Sequence, residues 1–204
     1  MTVRRALVTT IALASTVGAA QAQSGSVARF QVVDERGIPV RDAVVEVRPA
    51  NGAGGPIRFS WRMAMAQKDM AFVPGTLVVA KGSKVAFPNL DRVRHSVYSF
   101  SKAAKFEIDL YGRDQTRSHL FAVAGSVAVG CNIHDEMRGY IRVTDTPYAA
   151  KTDANGLVSI SSLPRGSAQV TVWHQRLRAP EGEMTQTVAI APGGPIRKMQ
   201  ARLR

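Results

Sequence analysis

The string GCNIHDEMRGYI, residues 130–141, holds the single cysteine of this chain, followed at three-residue steps by His134 and Met137. A thiolate, an imidazole and a thioether within seven residues are soft and borderline metal donors. Val127-Ala128-Val129 runs into the string, and beyond it Ile141 and Val143 alternate with Tyr140 and Arg142. The string therefore reads as a short loop between two strands. Upstream, FPNLDRVRHSVYSF (87–100) places His95 just after a strand. Two histidines, one cysteine and one methionine are the donor set of a trigonal copper site with a weak axial thioether. Sulfur donors stabilise Cu(I) and imidazoles suit Cu(II), so ligands anchored on strands can hold one geometry for both states. Zinc is the competing reading, although structural zinc sites are usually closed by four Cys or His ligands. A lone thiol in an oxidising compartment also has two plainer readings, a buried free residue or an intermolecular disulfide.

Outward from this string the chain reads as strands and turns. Residues 27–33 form a first strand that ends at Asp34-Glu35-Arg36-Gly37, and residues 43–47 form a second. Leu77-Val78-Val79 leads through Lys81-Gly82-Ser83 to Val85-Ala86-Phe87, while Phe106, Ile108 and Leu110 alternate with Glu107 and Asp109 as in a half-buried strand. Turn signals recur about every ten residues, which predicts an all-β sandwich or barrel. Residues 61–70 are the one stretch with room for a helical turn or two.

The chain has 204 residues, and 45% are hydrophobic, enough for one ordinary domain or two small ones. Arg4-Arg5, an apolar run over 6–20 and Ala20-Gln21-Ala22 predict a secretory signal over residues 1–22, cleaved after Ala22. Arg4-Arg5 is also a feature of twin-arginine export, but its flanks fit that signal poorly. The apolar run is too short for a membrane span, and nothing later approaches that length. The expected location is periplasmic or secreted. Net charge is +12, and without Arg4 and Arg5 it is near +10, from 25 basic and 15 acidic residues. Such a balance favours acidic partners. The charge is spread rather than clustered and aromatics do not interleave with arginines, so nucleic acid is not expected as a partner.

FVPGTLVVAKGSKVAFPNLDRVRHSV (72–97) followed by CNIHDEMRGYI (131–141) resembles a cupredoxin of the plastocyanin and amicyanin type, the C-x-x-H-x-x-M spacing being similar to the amicyanin loop. The pattern that continues through TDANG to VTVWH resembles bacterial methylamine-utilisation proteins. The resemblance implies a Greek-key β-sandwich binding one copper per chain, with His95 as first ligand, Cys131 as thiolate, His134 as second and partly exposed imidazole, and Met137 as axial ligand. It also implies a structural role for Asn89. Ser96 stands where many cupredoxins have Asn, and its hydroxyl is expected to do the same loop-tying work. Asp135-Glu136 after His134 is more acidic than the usual apolar rim of amicyanins. VVDERGIPVRDAVVEVRP (32–49) and TDANGLVSISSLPRGSAQVTVW (152–173) resemble two halves of a carboxypeptidase-regulatory or transthyretin-like sandwich. The domain expectation is therefore a discontinuous transthyretin-like unit, 23–56 plus 147–204, with a cupredoxin unit, 57–146, inserted in it or packed beside it.

The remaining candidates have plainer readings. His119 is expected at the surface and Trp173-His174 in packing. Met63, Met65 and Met70 are expected as core fillers rather than thioether ligands. The leading function is a one-electron carrier serving a redox partner protein. A copper chaperone or storage protein, or a structural β module without metal, are the alternatives. An enzyme is not expected, since four protein ligands leave no open position on the metal.

Overall fold

A computed structural model describes residues 25–52 and 55–204, and the expected signal over 1–22 lies outside the described residues. Strands β1 (Ser26–Val33) and β2 (Val44–Pro49) come first. Then follow β3 (Ala66–Lys68), β4 (Ala71–Val73), β5 (Thr76–Ala80), β6 (Ser83–Pro88), β7 (His95–Ser101), β8 (Ala104–Tyr111), β9 (Thr116–Phe121), β10 (Gly125–Cys131) and β11 (His134–Thr144). The chain ends with β12 (Ala149–Lys151), β13 (Leu157–Leu163), β14 (Gly166–Trp173), β15 (Glu183–Ile190) and β16 (Arg197–Gln200). The protein is all-β, as its turn spacing predicts, and among the described residues a single 3₁₀ turn at Pro180–Gly182 is the one helical element.

Strands β3 to β11 build one sandwich. Its larger sheet has the order β5-β11-β10-β7-β8, with β5 parallel to β11 and the other pairs antiparallel. The facing layer joins the β3–β4 hairpin to the β6–β9 pair through parallel bridges, Ala64 to Ala86 and Gln67 to Asn89. Alternate residues of both layers point inward, and Phe87, Phe121, Val97, Val127 and Ile141 are among those that fill the core. The other strands form a second sandwich with sheets β13-β1-β16 and β12-β2-β14-β15. Here β1 pairs with β13 and β2 with β14, so segments more than a hundred residues apart in the chain share one core around Phe30, Val45, Val170 and Val172.

Two local readings are corrected, and one alternating position is buried from an unexpected side. Residues 61–70 contain no helical turn, because Met65 N–H donates to Ala86 and Ala86 N–H to Met63, which draws the segment into an extended layer. Leu110 is 40% exposed, since β8 is the edge strand of its sheet. Tyr140 and Arg142 do alternate with the core residues of β11, yet Arg142 is only 4% exposed because the second sandwich covers it. Its guanidinium makes a bidentate pair with Glu46 (3.1 and 2.7 Å) and reaches Glu183 and Ser126 Oγ. Around this ion cluster Tyr140 packs on Trp173, with ring centroids 5.8 Å apart, and Val44, Val78 and Ala149 close the seam.

Candidate metal centre

The four sequence candidates come from two places at one end of the first sandwich. His95 opens β7 and is fully buried. The loop before it is tied by Asn89, whose Nδ2 donates to Val93 O and Tyr111 O while its Oδ1 accepts from Asp91 N–H. The β7–β8 register shifts between His95 and Val97, and this irregularity turns Ser96 toward the next strand. Ser96 Oγ accepts from Asn132 N–H at 2.9 Å and lies 3.8 Å from Cys131 Sγ. The hydroxyl therefore ties the segments carrying His95 and Cys131 together, the task expected of it.

Cys131 ends β10 and His134 opens β11, so the segment is tighter than the open loop expected from the sequence. Cys131 pairs directly with His134 across Asn132-Ile133, while Gly130 pairs with Arg138. Asp135, Glu136 and Met137 are the surplus on the β11 side of this irregularity. Met137 turns inward from it, 1% exposed, into the apolar cluster that also contains Cys131.

His95, Cys131 and His134 converge. Nδ1 of His95 lies 3.1 Å from Nδ1 of His134, and Cys131 Sγ lies 3.8 and 3.6 Å from those two nitrogens. Three atoms so spaced are all about 2.0 Å from a common centre, the length of a metal–imidazole bond and slightly less than a metal–thiolate bond. The donor set thus fits a single ion. It is also the one cluster of three or more His, Cys, Asp or Glu side chains with metal-binding spacing among the described residues. Cys131 is buried, while His134 is half-exposed and flanked by the exposed Ile133, Asp135 and Glu136.

Asp91 was not among the sequence candidates. Its Oδ2 accepts from His95 Nε2 at 2.8 Å, on the far side of the ring from the cluster. Burial works against ionisation of this carboxylate, but hydrogen bonds from Met70 N–H, His95 and Asp69 N–H outweigh it and hold the group below its usual range. The available signal was its place four residues before His95, read with the rule that a ligating imidazole needs an acceptor at its other nitrogen.

The other candidates fall outside the cluster. His119 is not a free surface residue: its ring stacks on Phe106 at 3.9 Å and meets Phe121 edge-on, and burial lowers its pKa. His174 is buried, with its pKa lowered by burial and by Arg176, and Trp173 packs in the seam between the sandwiches. Met65 fills the core and Met63 packs against it, whereas Met70 is 59% exposed on the β3–β4 turn.

Gly130, next to Cys131, lies against Tyr98. A Cβ at Gly130 would lie 2.7 Å from the phenol carbon and oxygen of that ring. Gly130→Ala is expected to cost about 1–3 kcal/mol as overpacking, measured by urea unfolding. In a Tyr98→Ala background the cost should largely vanish, and its persistence there would rule out the ring as the cause.

No family model matches the chain, and no curated protein matches it. Among solved structures it is similar to amicyanin. A Cu(I) form of an amicyanin variant aligns at 20% identity over 50% of this chain and 99% of that one, with a TM-score of 0.38. A copper-containing nitrite reductase from Thermus scotoductus SA-01 aligns at 22% identity over 48% of this chain, with a TM-score of 0.39, and the match spans 25% of that enzyme.

Proposed function

We propose that this protein is a type 1 copper protein that carries single electrons, in which His95, Cys131, His134 and Met137 would hold one copper per chain. The observation that carries the reading is the spacing of the two Nδ1 atoms and the Sγ around one centre, in a donor set suited to copper. Copper held there would supply a Cu(I)/Cu(II) couple. The chain's own residues do the rest. Strand ends and the Ser96 hydroxyl fix the donors, and burial of Cys131 and His95 excludes water. The half-exposed edge of His134 offers a port for electrons. We assign no catalysed reaction. Export to the periplasm or beyond is proposed from the sequence signal over 1–22. We also read 57–146 as a cupredoxin unit set in a transthyretin-like sandwich made of 23–56 and 147–204, a division supported by the separate strand pairing.

Copper loading tests the function. One copper per chain, an intense visible band and a reversible one-electron potential are expected. Tight Cu(I) binding without a coloured Cu(II) form would mean chaperone or storage, and no stoichiometric metal would mean a structural module.

The partner is expected to be a redox protein with an acidic face, given the basic surface. Asp135 and Glu136 beside His134 then oppose docking. Changing them to Asn and Gln should raise the association rate with an acidic partner roughly a few-fold at low salt, with the visible band unchanged. Stopped-flow rates at two ionic strengths check this. Loss of copper from the double variant would instead make these carboxylates part of the ligand architecture.

A further inference from the structure

We infer that Asp91 is the positioning residue of the centre, fixing the tautomer and ring orientation of His95 so that Nδ1 faces Cys131 and His134 before any metal arrives. The inference rests on the reading of His95 as a ligand. Besides His95 Nε2, the Asp91 carboxylate takes the amides of Asp69 (2.6 Å to Oδ1) and Met70 (3.0 Å to Oδ2). Its own N–H is held by Asn89 Oδ1 at 2.9 Å. With both oxygens engaged and the backbone pinned, the carboxylate has little freedom to swivel. The 2.8 Å contact sets a carboxylate oxygen, an acceptor, against His95 Nε2, a geometry suited to the tautomer with its proton on Nε2 and Nδ1 free to face the cluster.

The turn that supplies the two amides is itself unusual. Asp69 and Met70 link β3 to β4 with φ of 54° and 55°. A two-residue hairpin loop with both φ positive prefers Asn-Gly, and a methionine there is strained. That geometry aims both amides at Asp91. A hairpin remote from the ligand string thus holds the carboxylate that holds the ligand. The negative charge behind the ring also makes His95 a stronger donor, which favours the more highly charged state of a bound ion.

The test reads the imidazole nitrogens directly. In metal-free protein, ¹⁵N NMR should show His95 protonated at Nε2 and bare at Nδ1. In Asp91→Asn the ring should populate both tautomers. Copper(I) affinity by chelator competition should fall roughly 10- to 100-fold, and the reduction potential of the copper form should rise. Because Asp91→Asn also loosens the turn, Met70→Gly, which suits a left-handed turn, is added to restore stability. A double variant that melts like the parent yet keeps mixed tautomers supports the inference. Return of the single tautomer together with stability overturns it, since Asp91 would then act only through the turn. A parent protein with His95 protonated at Nδ1 overturns it as well. Failure of the parent to bind copper, with the Nε2 proton in place and lost order in Asp91→Asn, would sink the functional reading and uphold this one.

Discussion

Cys131→Ser is expected to remove the intense visible absorption of the copper-loaded protein completely. The band expected of the native site arises from charge transfer between thiolate and metal, and Cys131 is the chain's only cysteine, so no other side chain can replace that donor. The change is nearly isosteric. Cys131 is 3% exposed and contacts Ser96 Oγ, which a serine hydroxyl could also meet. The fold should therefore survive, with a far-UV spectrum and unfolding midpoint close to the parent's. Any copper still bound through His95 and His134 should be pale and held far more weakly. Full colour in the Cys131→Ser protein would exclude the thiolate from the site and end the type 1 assignment.

The largest effect on stability is expected at Arg142. Glu46 is fully buried, and its shortest bonds come from the bidentate Arg142, with Arg48 Nη1 and Nη2 each donating to its Oε2 at 3.4 Å. Arg142→Ala strips the bidentate partner and leaves the buried carboxylate with only the longer bonds from Arg48. Breaking a buried pair from one side costs about 3–5 kcal/mol. Replacing both, as in Arg142→Met with Glu46→Leu, should recover most of that loss, because two desolvated charges are exchanged for apolar contact. Urea unfolding of Arg142→Ala and of the double variant decides the matter. A cost near zero for Arg142→Ala would mean that water reaches Glu46 and that the seam is looser than its burial indicates. The visible band provides an independent readout: the mutation should destabilise the seam while leaving the colour of the folded protein unchanged.

The strand-and-turn architecture could be read from the chain because its signals are local. Alternation along β11 and the apolar run of β10 mark strands without reference to anything distant. The candidate donors Cys131, His134 and Met137 stand within seven residues, so their chemistry was visible as a string, and His95 could be added from its place at a strand's start. What was missed depends on contacts across the fold. Asp91 looks like any loop aspartate until the β3–β4 turn and His95 close around it. Arg142 alternates as a solvent-facing residue should, but solvent is replaced there by a second sandwich. The stretch 61–70, with its run of Met and Ala, has intrinsic helix preference, and pairing with Ala86 overrides it. His119 carries no sequence mark of the aromatic stack that shelters it.

Strand β11 begins with His134, and Arg142 stands eight residues further along it. At strand spacing those residues are separated by roughly 20–25 Å, allowing for the irregularity after His134. One continuous strand is therefore the spacer between the candidate metal centre and the sandwich that Arg142 anchors. Whatever grips that sandwich, whether a surface, a fusion or a neighbouring protein, stands a strand's length from the imidazole edge. On the proposed function, the molecule would be held by one end and exchange electrons at the other, like a probe whose handle lies well away from its tip.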